Sequence, residues 1–385
     1  MLKKISALLL ITVFSYSLSA QNYERYKVLQ DTVIASKNLG FTKGITVTVP
    51  VEWQKGTKNK FPLIIVFDRQ NKRSHSYILQ TIDYLTSTEQ MPSAVIISVA
   101  SEQRFRYIET QYKEADVNGV ASENEKFIFE ELIPFANKQY NTSDFRVLIG
   151  HSRYGYFTTS LFSTRTKDLN GVISMSPFFT QKNVDLTHSI RKMNDTFYTS
   201  KKYYRYGIGN DFPEDALKMD STLQQLTLNS SLDIKGYRFK QASHDTTPGL
   251  IISAALYELF EQWSAIQGKY ISNNQKELDI KTALDNEIVS HYGAPLNFSI
   301  GILNGKGWYF YNEKDYTKAI KAWEILVNSY PNFSQGYLAM IKAQIKLKQN
   351  YDATLVKFKN SLNNSELYKE NEKEGLMKEL KEIIE

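Results

Sequence analysis

The apolar positions change their period along the chain, and those changes divide it. From Asp31 to Lys37 and from Gly44 to Pro50 apolar and β-branched residues alternate with others, as in half-buried strands of antiparallel type. From Pro62 the pattern becomes continuous. Runs at Pro62–Asp68, Ala94–Ala100, Val147–Ile149 and Gly171–Pro177 suit strands covered on both faces. Tyr203–Gly209 and Ile234–Gln241 predict two more strands. Between the runs lie helical patterns. They fall at Ser76–Leu85, Glu123–Tyr140, the residues after Ser152, Asp215–Leu228 and Leu250–Trp263. Pro134 should kink the second of these or mark its boundary. Residues 178–202 are polar and irregular and read as an insertion above the sheet. Strands alternating with helices predict an α/β domain over residues 21–265, with a mostly parallel sheet and helices on both faces.

Beyond Trp263 the pattern changes again. Residues 266–296 are polar and read as a helical linker. Gly307, Phe310, Ala319, Trp323 and Pro331 then fall at the spacing of a tetratricopeptide unit, and Ala353 follows Ala319 by 34 residues, one period of that repeat. Two units are fewer than the three or so that stand alone. Residues 297–385 should therefore form a small all-α, tetratricopeptide-like module that packs on the sheet domain or on a protein partner. A plain helical hairpin extension is the alternative.

Composition narrows the possibilities. The 385 residues carry 47 Lys and Arg against 41 Asp and Glu. This excess is too small and too dispersed for a nucleic-acid face. Lys3-Lys4, the apolar run Ile5–Phe14 and the small residues around Ser19-Ala20 describe a secretory signal over residues 1–20. The run is too short to span a membrane. Export to the periplasm or beyond is expected, with no integral membrane span once the signal is removed. The chain has no cysteine, so an exported domain must be held by its core rather than by disulfides. Nothing has metal-ligand spacing, and no cofactor is implied.

The candidate chemistry centres on Val147-Leu148-Ile149-Gly150-His151-Ser152-Arg153-Tyr154-Gly155. A buried strand, a sharp turn, a serine and a helix form a nucleophile elbow, the device of the α/β-hydrolase fold. The motif is Gly-x-Ser-x-Gly; here Tyr154 stands at its last position and Gly155 follows one residue late. A serine nucleophile needs a base and a group to orient it, in the chain order Ser, acid, His. Of five histidines, His244 alone follows the sixth buried strand and precedes the closing helix. The acid should follow the fifth strand, where Asp211 comes first, Glu214 second and Asp215 third; Asp215 also suits a helix N-cap. Oxyanion donors would be the backbone N–H of Arg153 and one from the loop after Asp68, Arg69 or Gln70.

These residues together resemble the putative esterase family that includes esterase D and the enterochelin esterases. The resemblance rests on Leu63–Asp68, Ser101–Arg106, Glu130–Pro134, Ile149–Ser152 and His244 with Pro248. It covers roughly residues 30–265. Arg69, Tyr107 and Tyr154 depart from the family pattern, which has glycine, an acidic residue and glycine at those places. The resemblance implies a serine esterase acting on carboxylic esters, with sugar, feruloyl-type and siderophore esters within the family's range. Lys182, Arg191, Lys192, Lys201 and Lys202 in the insertion either meet an anionic or glycosidic ligand or form a solvated face. The competing reading, to which Arg69 and Tyr154 point, is a non-catalytic binding or scaffold protein. It would keep the hydrolase fold and recruit a partner through its helical tail.

Overall fold

A computed structural model describes residues 23–116, 118–272 and 277–385. The signal-like segment lies outside the described residues. Strands β1 (Tyr26–Ala35) and β2 (Thr42–Pro50) pair antiparallel, as their alternation predicts. The fully apolar runs become β3 (Phe61–Val66), β4 (Val95–Val99), β5 (Thr142–His151) and β6 (Gly171–Met175). A small hairpin, β7 (Thr180–Gln181) and β8 (Val184–Asp185), precedes β9 (Lys202–Ile208) and β10 (Leu232–Arg238). The main sheet has eight strands in the order β1-β2-β4-β3-β5-β6-β9-β10. From β4 to β10 every pairing is parallel. Residues of β3, β4, β6 and β9 are buried along their whole length, which is why β3, β4 and β6 read as near-continuous apolar runs; β9 is equally buried although it carries Lys202 and Arg205.

Helices cover both faces of the sheet. On one face α1 (Lys72–Ser87) and α8 (Thr247–Ile271) pack against Ile64, Ile96, Val147 and Ile149. On the other, α4 (Ile133–Tyr140), α5 (Arg153–Thr164), α6 (Leu186–Met193) and α7 (Pro213–Gln224) pack against Leu63, Ile65, Ile97 and Leu148. Two short helices, α2 (Gln103–Glu109) and α3 (Ala121–Lys126), lie between β4 and α4. Between α3 and α4 the chain widens into a π-helical stretch, Phe127–Leu132. Pro134 follows directly on these widened turns, inside a helix that continues unbroken from α3 to α4.

The insertion after β6 is more ordered than its polarity suggests. Leu186, Ile190 and Met193 bury one face of α6, and Asp185 caps its N-terminus by accepting from the Thr187 N–H. Lys202 is no surface cation. It begins β9, is buried, and donates to the Leu169 carbonyl at 2.8 Å. Burial lowers its pKa to about 8.

Residues 266–296 contribute to the core. Helix α8 runs on to Ile271, and α9 (Ile280–Tyr292) follows; Ile266, Tyr270, Ile288 and Tyr292 are all buried. Five further helices complete the chain: α10 (Ile300–Asn312), α11 (Tyr316–Ser329), α12 (Ser334–Lys346), α13 (Asp352–Asn364) and α14 (Glu370–Ile384). Trp323, Phe358 and Leu380 belong to the same apolar cluster as the α1–α8 face of the sheet. Polar contacts reinforce that continuity. Ser299 donates to Glu89 at 2.9 Å, and Asn59 donates to the Ser329 carbonyl at 2.6 Å.

Candidate active site

The parallel strands end together along one edge of the sheet, and the chain leaves β3 and β5 in opposite directions. That reversal opens a crevice at the carboxyl ends of the strands. Ser152 stands there, at the end of β5. Its backbone has φ 58° and ψ −118°, a left-handed conformation that non-glycine residues hold only when their surroundings enforce it. Three features enforce it here. The Ser152 N–H donates to the Met175 carbonyl at 2.8 Å. A Cβ on Gly150 would stand 2.3 Å from the Tyr154 carbonyl oxygen, and one on Gly155 would stand 3.2 Å from the Met175 oxygen. The close approaches of this turn thus fall on Gly150 and Gly155, and position 154 is free to carry a side chain.

Tyr154 uses that freedom to point inward. Its ring stacks on Phe67 at 4.5 Å, and its phenol donates to the buried Glu109 carboxylate at 2.5 Å. Lys43 and Ser101 donate to the same carboxylate oxygen, at 2.8 and 2.7 Å. Burial, then the nearby Glu109 charge, holds the Tyr154 pKa well above that of a free phenol. Tyr154 therefore stays a donor. Burial lowers the Lys43 pKa, and the Glu109 charge opposes that shift.

Opposite the elbow, β9 and β10 deliver a matched pair. His244 Nδ1 and Asp211 Oδ2 are 2.5 Å apart. A carboxylate only accepts, so the proton lies on Nδ1 and the Nε2 lone pair is left free. Among the described residues no hydrogen bond joins Ser152 Oγ to the imidazole; such bonds commonly tighten only when substrate is bound. Both side chains line one cleft of about 520 Å³, with Asp68, Gln70, Arg106 and His151. Glu214 is exposed in the first turn of α7. Asp215 does not cap α7, whose N-cap is Phe212. It accepts instead from the N–H groups of Phe179 and Thr180, at 2.7 and 2.9 Å.

The oxyanion side differs from the sequence reading at Arg69. Its N–H donates to the Val99 carbonyl at 3.1 Å, so it is not free to face the cleft. The Arg69 side chain turns away and pairs with Asp31 and Thr46. Gln70, one residue on, lines the cleft. Its side chain accepts from the Ser101 N–H and donates to Asp68, both at 2.9 Å. Arg153 opens α5, so its N–H belongs to the first turn, which has no intrahelical acceptor.

Two contributors escaped the sequence reading. Arg106 donates through Nε and Nη2 to the two oxygens of Asp68, each at 2.7 Å, and through Nη2 to the His151 carbonyl at 3.0 Å. It thereby fastens the end of β3 to the elbow. Arg106 and Glu109 stand three residues apart on one face of α2, and that spacing was the available signal. His151 is the second. Its Nε2 lies 3.1 Å from the His244 carbonyl, which makes that nitrogen the donor, and the two rings are 4.6 Å apart. Burial first, then the adjacent His244, lowers the His151 pKa to about 4, so it stays neutral at pH 7.

Residues 36–213 match the family model described as "Putative esterase". No curated protein matches the chain in sequence. Among solved structures, an IroE-like serine hydrolase from Shewanella oneidensis superposes with a TM-score of 0.61 at 16% identity, over 79% of this chain and 99% of that one. An uncharacterised protein from Capnocytophaga ochracea gives 0.59 at 14% identity, over 86% of this chain and 93% of its own. The BES protein from Bacillus cereus gives 0.51 at 18% identity, over 60% of this chain and 95% of its own. Coverage of 86% cannot be reached within residues 23–271, so the first two likenesses extend into the helical tail. Residues 36–213 are thus similar to the putative esterase family, and the fold is that of an α/β-hydrolase.

Proposed function

We propose that the protein is an exported serine esterase that cleaves carboxylic esters through an acyl-enzyme. Ser152 is the nucleophile. His244 Nε2 takes the hydroxyl proton as Oγ attacks the ester carbonyl, then gives it to the departing alcohol. Asp211 holds the imidazole in the tautomer this requires and stabilises the imidazolium that forms. The N–H groups of Arg153 and Gln70 receive the oxyanion, each contributing about 3–4 kcal/mol to the transition state. Water then repeats the sequence on the acyl-enzyme and frees Ser152. The observation that carries this reading is the 2.5 Å bond between Asp211 and His244, whose side chain shares a cleft with a serine held at φ 58°. Short p-nitrophenyl esters test it. The expected result is turnover with an initial burst of p-nitrophenol, abolished in Ser152→Ala; equal rates in the two proteins would reject it.

Export rests on the sequence of residues 1–20. No helix among the described residues is long and apolar enough to cross a membrane. N-terminal sequencing of the mature protein, with a start near Gln21, is the check. The tail reads as two tetratricopeptide-like units, α10–α11 and α12–α13, with α14 as a cap. Support comes from Gly307, where a Cβ would stand 2.2 Å from the Trp323 ring: a small position faces a large one.

A further inference from the structure

Arg106 and Arg153 both border Ser152, and their charges are treated differently. Arg106 is saturated by its bidentate pair with Asp68. Arg153 is half-buried; its side chain donates to the Gln111 amide oxygen at 3.3 Å and interacts with the Tyr107 side chain. Its guanidinium carbon lies 3.7 Å from the centre of the Tyr107 ring and 5.8 Å from that of Phe178. The rings continue towards the base. Phe178 meets Phe212 edge-on at 5.6 Å, and Phe212 meets His244 edge-on at 5.6 Å. An aromatic rim thus runs from His244 round to an arginine that has no carboxylate partner among the described residues. A guanidinium stacked on aromatic faces is held flat and is ready for a planar, bidentate anion.

The other direction out of the cleft is taken by a second cavity of about 380 Å³. It includes Asn71, Tyr77, His151, Asp245 and Pro248. The departing alcohol must lie against His244 to receive its proton, and this cavity begins at Asp245, the next residue. The acyl chain is then left the aromatic rim and Arg153.

We propose that Arg153 binds a carboxylate at the far end of the substrate's acyl group, so that the preferred substrates are half-esters of dicarboxylic acids. This rests on the esterase reading and specifies its substrate class. An ion pair made in such a place is worth about tenfold or more in discrimination.

A matched pair of esters tests it: p-nitrophenyl hemiadipate, and its neutral isostere p-nitrophenyl 6-methylheptanoate, each corrected for spontaneous hydrolysis. The expected kcat/KM ratio is at least about tenfold in favour of the hemiadipate, falling towards one in Arg153→Met. Turnover of both esters with no such preference, or with a preference that Arg153→Met keeps, overturns the proposal and leaves the esterase reading intact. If neither ester turns over, the esterase reading fails, and calorimetric binding to Ser152→Ala decides the subsite alone. A tenfold tighter hemiadipate complex, lost when Arg153→Met is added, upholds it; equal affinities overturn it.

Discussion

The Tyr154 phenol donates to the Glu109 carboxylate at 2.5 Å, and this bond explains how the elbow holds a bulky residue where the Gly-x-Ser-x-Gly motif has glycine. The ring fills the space beside Phe67, and the hydroxyl is a third donor, with Lys43 and Ser101, to one oxygen of the buried Glu109 carboxylate. Tyr154→Phe removes one bond to a buried charge, at a cost of about 1.5–3 kcal/mol. Tyr154→Gly restores the motif but leaves a cavity as well, at a cost of about 3–5 kcal/mol. Urea unfolding of the two variants measures both. A glycine variant as stable as the parent would contradict the account.

Arg106 and Asp68 form the second brace. Asp68 is nearly buried and has φ 62°, so Arg106→Met strands a carboxylate and should destabilise the fold by about 3–5 kcal/mol. The same change loosens the loop that carries Gln70. A double-mutant cycle with Asp68→Asn should recover part of the loss, because the amide no longer leaves a charge unpaired. Additive losses would mean that the two residues act independently.

The acid limb of stability follows from two histidines, His151 buried and His75 half-buried. Burial is the main cause that lowers the pKa of both His75 and His151 to about 4, from an ordinary 6.5. Between those values the unfolded chain binds protons that the folded chain refuses. The stabilisation is therefore complete above about pH 6.5 and is lost as pH falls towards about 4. His75, which lies 2.7 Å from Ser98 Oγ, is away from the proposed chemistry. His75→Gln should flatten the slope of unfolding free energy against pH in this window. An unchanged slope would contradict the assignment.

The helical tail shares one apolar cluster with the sheet. Both parts should therefore unfold together, in one calorimetric transition. Deleting residues 297–385 should expose the apolar surface of Trp263, Ile266 and Tyr270 and lower solubility. Two well-separated transitions would show that the tail is an independent unit.

The sequence disclosed those parts of the site that depend on topology. Once a run of parallel strands is recognised, the residues at their carboxyl ends must meet, so Ser152 in its elbow motif, His244 and an acid among Asp211, Glu214 and Asp215 could be proposed from the chain order. It did not disclose what depends on orientation within a loop. Whether Arg69 or Gln70 turns its N–H to the cleft is set by the positive φ of Asp68 and by the Val99 carbonyl, and neither is written in the side chains. Helix α2 was missed because Gln103–Glu109 has only Phe105, Tyr107 and Ile108 as apolar residues, with no helical period. Its value lies in Arg106 and Glu109, whose partners are distant in sequence. In residues 266–296 polar residues outnumber the buried ones, which hid two core-forming helical segments.

The most direct measurement is reaction of the full chain with a fluorophosphonate probe, with the adduct mapped by mass spectrometry. The account predicts a single stoichiometric adduct on Ser152, with labelling slowed by three to four orders of magnitude, roughly, in His244→Ala or Asp211→Asn. Unmodified Ser152 under conditions that label an active serine hydrolase, or labelling indifferent to His244, would contradict it.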